Sequence, residues 1–320
     1  MQWIKRGQIF DPTSHNLDFD CSEFAVSPQT LVFDDFVRIY FSTRRPDPAN
    51  GKLLSHVAFV DMDRNFQIVN HSRQTVVPLG GLGCFDEHGI FPINVLRHNG
   101  KIWGYTTGWS RRASTSVDLS TGLAFSHDGG LTFEKYGSGP VLTSSLREPV
   151  LVGDSFVQVY DGVFHMWYIF GRKWRDPQDG EPPVRCYKIA HATSSDGILW
   201  EKEEAVEIIP NVFGDEENQA LPTVLQIGDR YHMYFCFRQS TDFRTNPARG
   251  YRLGYAYSDD LKTWTRDDEQ GGMKFSDSGW DSEMMCYPHI FEWHGKIYLL
   301  YNGNAFGKYG FGLAELIQQS

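Results

Sequence analysis

Glu87-His88-Gly89-Ile90-Phe91-Pro92 is one of four stretches in which four residues separate a glutamate from a proline. The others run from Glu23 to Pro28, Glu217 to Pro222 and Glu283 to Pro288. A variant opens at Arg147-Glu148-Pro149, where two extra residues put Ser155 in the proline slot. The five glutamates stand 64, 61, 69 and 66 residues apart. A period of that length is a whole supersecondary unit.

Each unit has the same internal order. Behind the glutamate comes an apolar segment, then a turn: Phe33-Asp34-Asp35, His98-Asn99-Gly100, Tyr160-Asp161-Gly162, Ile227-Gly228-Asp229 and Trp293-His294-Gly295. A second, aromatic segment follows, as in Phe164-His165-Met166-Trp167-Tyr168, and these turn residues between apolar runs predict hairpins. A third segment ends in small residues, such as Gly122-Leu123-Ala124 and Gly254-Tyr255-Ala256, and an aromatic (Phe133, Trp200 or Trp264) opens a fourth.

Four antiparallel strands repeated five times predict an all-β fold, a five-bladed β-propeller in one domain spanning 1–320, with blades starting near residues 20, 86, 147, 216 and 281. The last unit runs out at Ser320 after its third strand. Residues 3–10 are therefore expected to supply its fourth strand and close the ring, leaving no open edges.

Composition agrees with strands and narrows the function. Aromatic residues make up 15% of the chain and Gly 31 residues, which suits pleated strands and tight turns. A formal net charge of -10 argues against nucleic acid as a partner, because phosphate backbones need a basic footprint. No apolar run approaches the ~18 residues of a membrane span, and the N-terminal residues lack the apolar centre of a signal peptide, so a cytoplasmic protein with no membrane partner is expected. Five widely spaced cysteines carry no zinc or redox spacing and the histidines no ligand spacing, so no metal site is expected. An ion on the propeller axis stays open.

In a propeller the first strands line the axis, so residues just before them are expected at one mouth of the channel. Glu23, Asp86 with Glu87, Glu148, Glu216 with Glu217, and Asp281 with Glu283 would converge there. Gathered carboxyl groups raise one another's proton affinity, the condition under which one is protonated while another is ionised. The loops between second and third strands open at the same face and are rich in arginine, among them Arg111, Arg172 and Arg238. The planar guanidinium suits phosphate or carboxylate, which points to an anionic ligand. Trp109 and Trp174, in those loops, are candidates for stacking on a sugar.

With these features the sequence resembles the five-bladed propeller glycosidases, the group that holds glycoside hydrolase families 32, 43, 62, 68 and 130. Arg147-Glu148-Pro149 is similar to the Arg-Asp-Pro element of the invertase-like members. Asp86 to Pro92 and Trp280-Asp281-Ser282-Glu283 resemble a branch of propeller proteins associated with surface-polysaccharide genes. The resemblance implies Glu217 as general acid, Glu23 (or Asp20) as base or nucleophile, and Glu148 as stabiliser of the transition state, with Asp86 or Glu87 tuning them. Arg147, Asp281 and Glu283 join Arg111, Arg172, Arg238 and Trp109 as candidate substrate contacts. Two readings follow. One is a glycoside hydrolase, phosphorylase or transglycosidase acting on an anionic or phosphorylated glycan, with no cofactor beyond inorganic phosphate as co-substrate. The other is a non-catalytic propeller that binds a sugar or nucleotide sugar.

Overall fold

The computed structural model describes residues 1–15, 17, 21–176 and 182–317. The strands form antiparallel meanders in chain order. The first is β2 (Val26–Val32), β3 (Val37–Pro46), β4 (Leu53–Met62) and β5 (Ile68–His71); the second is β6 (Gly89–His98), β7 (Lys101–Arg111), β8 (Val117–Ser126) and β9 (Glu134–Lys135). The third is β10 (Val150–Tyr160), β11 (Val163–Arg175), β12 (Val184–Ser194) and β13 (Glu201–Lys202). The fourth is β14 (Glu217–Ile227), β15 (Arg230–Gln239), β16 (Arg252–Ser258) and β17 (Thr265–Arg266). In the last, β18 (Cys286–Trp293), β19 (Lys296–Asn302) and β20 (Phe311–Leu316) are joined by β1 (Trp3–Phe10), which pairs antiparallel with β20.

The hydrogen-bonded sheets number four, because a parallel bridge between Ser55 and Gly89 fuses the first two meanders into one eight-stranded sheet. The first strands pack in a closed cycle: β2 on β6, β6 on β10, β10 on β14, β14 on β18 and β18 on β2.

Local chemistry makes the hairpins. Asn99-Gly100, Asp161-Gly162 and His294-Gly295 all have positive φ at both residues, the geometry whose twist matches the flanking strands. Between third and fourth strands a serine hydroxyl donates to an aspartate two residues on, Ser126 to Asp128, Ser194 to Asp196 and Ser258 to Asp260. These turns bring round an aromatic that packs on the second strand of the preceding meander. Phe133 meets Tyr40 edge-on at 5.8 Å, Trp200 meets Tyr105 at 5.9 Å, Trp264 meets Trp167 at 6.2 Å and Trp3 meets Tyr234 at 5.7 Å. Phe66 of the first meander does the same to Tyr298 of the last, at 5.2 Å. Each such pair contributes about 0.5–1.5 kcal/mol beyond its burial, so one repeated contact bonds every meander to the next and the last to the first. Among the described residues no helix is long and apolar enough to cross a membrane.

The proline slot of the repeat is a β-bulge. Every first strand slips register there, between Val26 and Gln29, Ile90 and Ile93, Gly153 and Phe156, Ala220 and Thr223, and Cys286 and His289. The residue before the slot has positive φ at Ser27, Asp154, Leu221 and Tyr287; in the second meander it is Phe91, on a cis bond to Pro92. Phe91 and Tyr287 stack edge-on at 5.4 Å although their meanders are not neighbours in the cycle. That contact crosses the axis, so the bulges turn these side chains inward.

Candidate functional site

Four of the acids that open the repeats are buried in ion pairs within their own meanders. Asp86 is buried against Lys135 of β9 at 2.5 Å. Glu148 is buried against Lys202 of β13, with the Tyr168 hydroxyl at 3.0 Å and the Ala205 N–H at 3.0 Å donating to it. Glu217 accepts from Arg266 of β17 at 2.6 Å and from the N–H groups of Val212 and Phe213. Asp281 accepts from Lys5 of β1 at 2.7 Å and from the Tyr301 hydroxyl at 3.0 Å. In each case the acid before the first strand is tied to a cation on the fourth strand of its own meander.

These are clasps: each of Glu217, Glu148, Asp86 and Asp281, expected at one shared opening, has a cation of its own meander as partner. A carboxylate taken out of water needs a counter-charge and donors, and the cation two residues beyond the packed aromatic supplies them. The signal stood in the sequence as Trp3-Ile4-Lys5, Phe133-Glu134-Lys135, Trp200-Glu201-Lys202 and Trp264-Thr265-Arg266. The first meander breaks it: Phe66-Gln67-Ile68 has no cation in that place. There the acid is Glu23, half-exposed, with Lys308 at 3.3 Å. Asp20, the alternative to Glu23, lies outside the described residues.

The other expected residues have local partners or face solvent. Glu87 accepts from the Gly83 N–H at 3.0 Å, and Glu216 pairs with Arg175 at 2.6 Å. Glu283 is exposed, its N–H donating to Asn304. Arg111 lies over Trp109 and donates to the Leu53 carbonyl, bridging the first two meanders, while Trp109 stacks with His88. Arg147 is exposed, and Arg172 pairs with Glu207 at 3.0 Å.

A separate cluster is built on Arg238 and three tyrosines. Arg238 is buried, with its guanidinium 3.5 Å from the Phe243 ring centroid; it donates to the Tyr187 hydroxyl at 3.1 Å. The hydroxyls of Tyr187 and Tyr251 are 2.7 Å apart, and Tyr251 stacks edge-on with Tyr287 at 5.6 Å, which leads across the axis to Phe91. Phe306 packs on Tyr251 and Phe243, and Arg244 lies over Phe243 and Phe306. Arg44, stacked on Phe24 next to Glu23, is close enough for its charge to reach the Tyr287 phenol.

Asp154 is the one acid among the bulge residues Ser27, Phe91, Asp154, Leu221 and Tyr287. It is 7% exposed, and no described residue hydrogen-bonds its carboxyl. Burial raises its pKa to about 7, against the lowering field of Arg185. At neutral pH it is poised to give or take a proton. A surface depression of ≈ 1130 Å³ near Cys21, Arg44, Arg45 and His56 has no carboxylate in its described lining.

No family model matches the chain. Two proteins of Mycobacterium tuberculosis, "Uncharacterized protein Rv1502" and "Uncharacterized protein MT1551", are each 32% identical to it over 317 residues, covering 99% of this chain and 99% of theirs. The chain belongs to their family. Among solved structures, members of this fold include a protein described as "Glycoside hydrolase" (TM-score 0.72, 15% identity, 99% of this chain and 93% of that one). A thermostable family-43 glycoside hydrolase (0.67, 12%, 93% and 91%) and an exo-1,5-α-L-arabinanase from a bovine ruminal metagenomic library (0.63, 13%, 95% and 97%) are also similar. The structural neighbours are glycoside hydrolases of families 43 and 32, the propeller glycosidase superfamily. At these identities the likeness is one of fold.

The residues that sequence reasoning passed over are Asp154, Tyr187 and Tyr251. A faint signal existed for the first. The variant repeat at Glu148 carries two extra residues, and they bring an aspartate into the slot that Ser27, Phe91, Leu221 and Tyr287 fill elsewhere. Nothing local marks the tyrosines, because they meet only when the third and fourth meanders pack. Among the described residues no His, Cys, Asp and Glu cluster is arranged to hold a metal.

Proposed function

We propose that the chain is a single-domain, five-bladed β-propeller, closed by its N-terminal strand, that cleaves or transfers a glycosidic bond on an anionic or phosphorylated glycan. Asp154 is the proton donor and Glu23 the opposing carboxylate. The observation that carries this reading is Asp154 itself, a desolvated acid in the bulge of the third meander with a pKa of about 7. An acid in that range donates its proton at neutral pH and recovers it. Glu23 is supported by what it lacks, for its meander has Ile68 where the others have the clasp cation.

In this mechanism Asp154 hands its proton to the glycosidic oxygen as the bond to the anomeric carbon breaks, giving an oxocarbenium-like transition state. Glu23 then either takes a proton from an attacking water or bonds the anomeric carbon directly. With phosphate as the attacking group the product is a sugar phosphate. Product analysis across a panel of neutral and anionic glycans, with and without phosphate, tests it. Asp154→Asn and Glu23→Gln are both expected to abolish turnover while leaving the fold intact. Full turnover by Asp154→Asn sinks the assignment.

A second reading, a non-catalytic sugar-binding propeller, is favoured by one observation: the clasps leave few free acids where glycosidases use two. It predicts sugar binding without turnover in either form of the protein.

A further inference from the structure

Three guanidinium groups collect between the third and fourth meanders with no ion pair among the described residues. Among the described residues, no carboxylate lies within ion-pair distance of Arg185, Arg238 or Arg244, whereas neighbouring Arg172, Arg175 and Arg249 are each paired. Arg238 is 3% exposed, and its Nε has no hydrogen-bond partner. Its other nitrogens reach only neutral oxygens, the Tyr187 hydroxyl and the carbonyls of Gln239 and Ser240. A buried cation held only by neutral oxygens is costly, and a counter-ion would relieve it.

The neighbours repeat the message. Arg185 lies over the rings of Trp174 and Tyr187. Arg244 is held below the usual arginine range by burial and by the like charges of Arg238 and Arg185, so the three cations crowd one space. Burial and the adjacent Tyr187 phenol push Tyr251 well above its ordinary value, which keeps its hydroxyl a neutral donor. A cavity of ≈ 370 Å³ opens beside the group, lined by Phe243, Arg244, Ser240 and Thr241 together with Arg175 and the aspartates Asp176 and Asp242, the latter 3.6 Å from Arg249.

We infer that Arg185, Arg238 and Arg244, with the hydroxyls of Tyr187 and Tyr251, form a subsite for a phosphate group, and that the adjoining cavity admits the molecule carrying it. A tetrahedral dianion offers acceptors to several forks at once, where a lone carboxylate satisfies one. The inference deepens the proposed function and rests on it for the identity of the molecule, either free phosphate as co-substrate or the phosphate of a sugar phosphate.

The test reads binding without needing turnover. Inorganic phosphate and glucose 1-phosphate are titrated separately by calorimetry into the full chain at low ionic strength. Saturable binding of at least one is expected. Arg244→Gln and Arg185→Gln, both on the accessible side of the group, are expected to weaken it about tenfold or more, since a charged hydrogen bond is lost. Arg238→Lys guards against misfolding of a buried truncation and is expected to weaken it too, while Arg230→Gln on the far turns leaves it unchanged. Binding of inorganic phosphate marks a co-substrate site; binding of the sugar phosphate alone marks a substrate handle. Asp154→Asn keeps the binding even where turnover is lost, so failure of the acid assignment and failure of this subsite are separable. No binding of either ligand at tens of millimolar, or binding untouched by Arg244→Gln and Arg185→Gln, overturns the inference.

Discussion

Asp281 and Asp154 are both buried aspartates at the inner strands, one at the entry of the last meander and the other in the bulge of the third, yet their surroundings push them in opposite directions. Asp281 loses water but gains Lys5, Ser276 and Tyr301; those hydrogen bonds outweigh burial and hold its carboxyl below the usual range. Asp154 loses water and gains only the distant field of Arg185, so burial prevails and its pKa rises to about 7. The same residue type is a fastener in one place and, in the proposed function, a proton carrier in the other. What separates them is whether the fourth strand delivers a cation.

The largest effect that tests this contrast is on stability. Removing one partner of a buried ion pair strands the other, at a cost of about 3–5 kcal/mol. Glu148→Ala leaves Lys202 stranded and is expected to lose that much in chemical denaturation, whereas Glu217→Ala leaves Arg266 with only the partly exposed Asp268 at 3.0 Å and is expected to lose less. Asp154→Asn strands no partner and at pH 7 is expected to hold or gain stability. If all three variants behave alike, the distinction between clasp and axial acid fails.

A smaller effect is the pH profile. Because the folded pKa of Asp154 is raised, the stability it contributes is fully present below its unfolded value of about 3.9 and is lost as pH climbs through about 7. Across that window the native protein is expected to lose up to about 1.4 kcal/mol per pH unit relative to Asp154→Asn. Asp281 works in reverse, its contribution present at neutral pH and lost as acid protonates it. Lys5→Met, which removes a cation that is 25% exposed, is expected to cost about 1–3 kcal/mol at pH 7 and less at pH 3. Urea unfolding at several pH values reads both slopes, and a flat difference between native protein and Asp154→Asn contradicts the placement of that carboxyl.

How much of this was legible in the sequence depends on how far apart the interacting groups lie. The hairpins announce themselves through Asn99-Gly100, Asp161-Gly162 and His294-Gly295, since a turn is decided by adjacent residues. The repeat was equally plain from Glu23, Glu87, Glu217 and Glu283. What the glutamates do was not plain, because Glu148 finds Lys202 54 residues on and Glu217 finds Arg266 49 residues on. A repeated acid reads the same whether it faces an axis or a partner strand. Asp154 escaped notice for the opposite reason: it occurs once, in a repeat whose irregular spacing looked like a defect. Arg238 alone of the expected arginines lies in the axial cluster, and only packing of Tyr187 and Tyr251 from two meanders distinguishes it from Arg172.

The smallest expected effect concerns Arg111. Sequence reasoning put it on an anion, whereas its guanidinium lies over Trp109, donates to the Leu53 carbonyl at 3.0 Å and has Asp47 at 3.9 Å. A partly exposed ion pair at that distance is worth about 0–1 kcal/mol. Arg111→Gln is therefore expected to shift the unfolding midpoint barely at all and to leave phosphate affinity and turnover where they were. Measured beside Arg244→Gln, it separates arginines that join neighbouring meanders from arginines that await a ligand. An Arg111→Gln variant that loses ligand affinity as far as Arg244→Gln does would move the site from the junction of the third and fourth meanders toward that of the first and second.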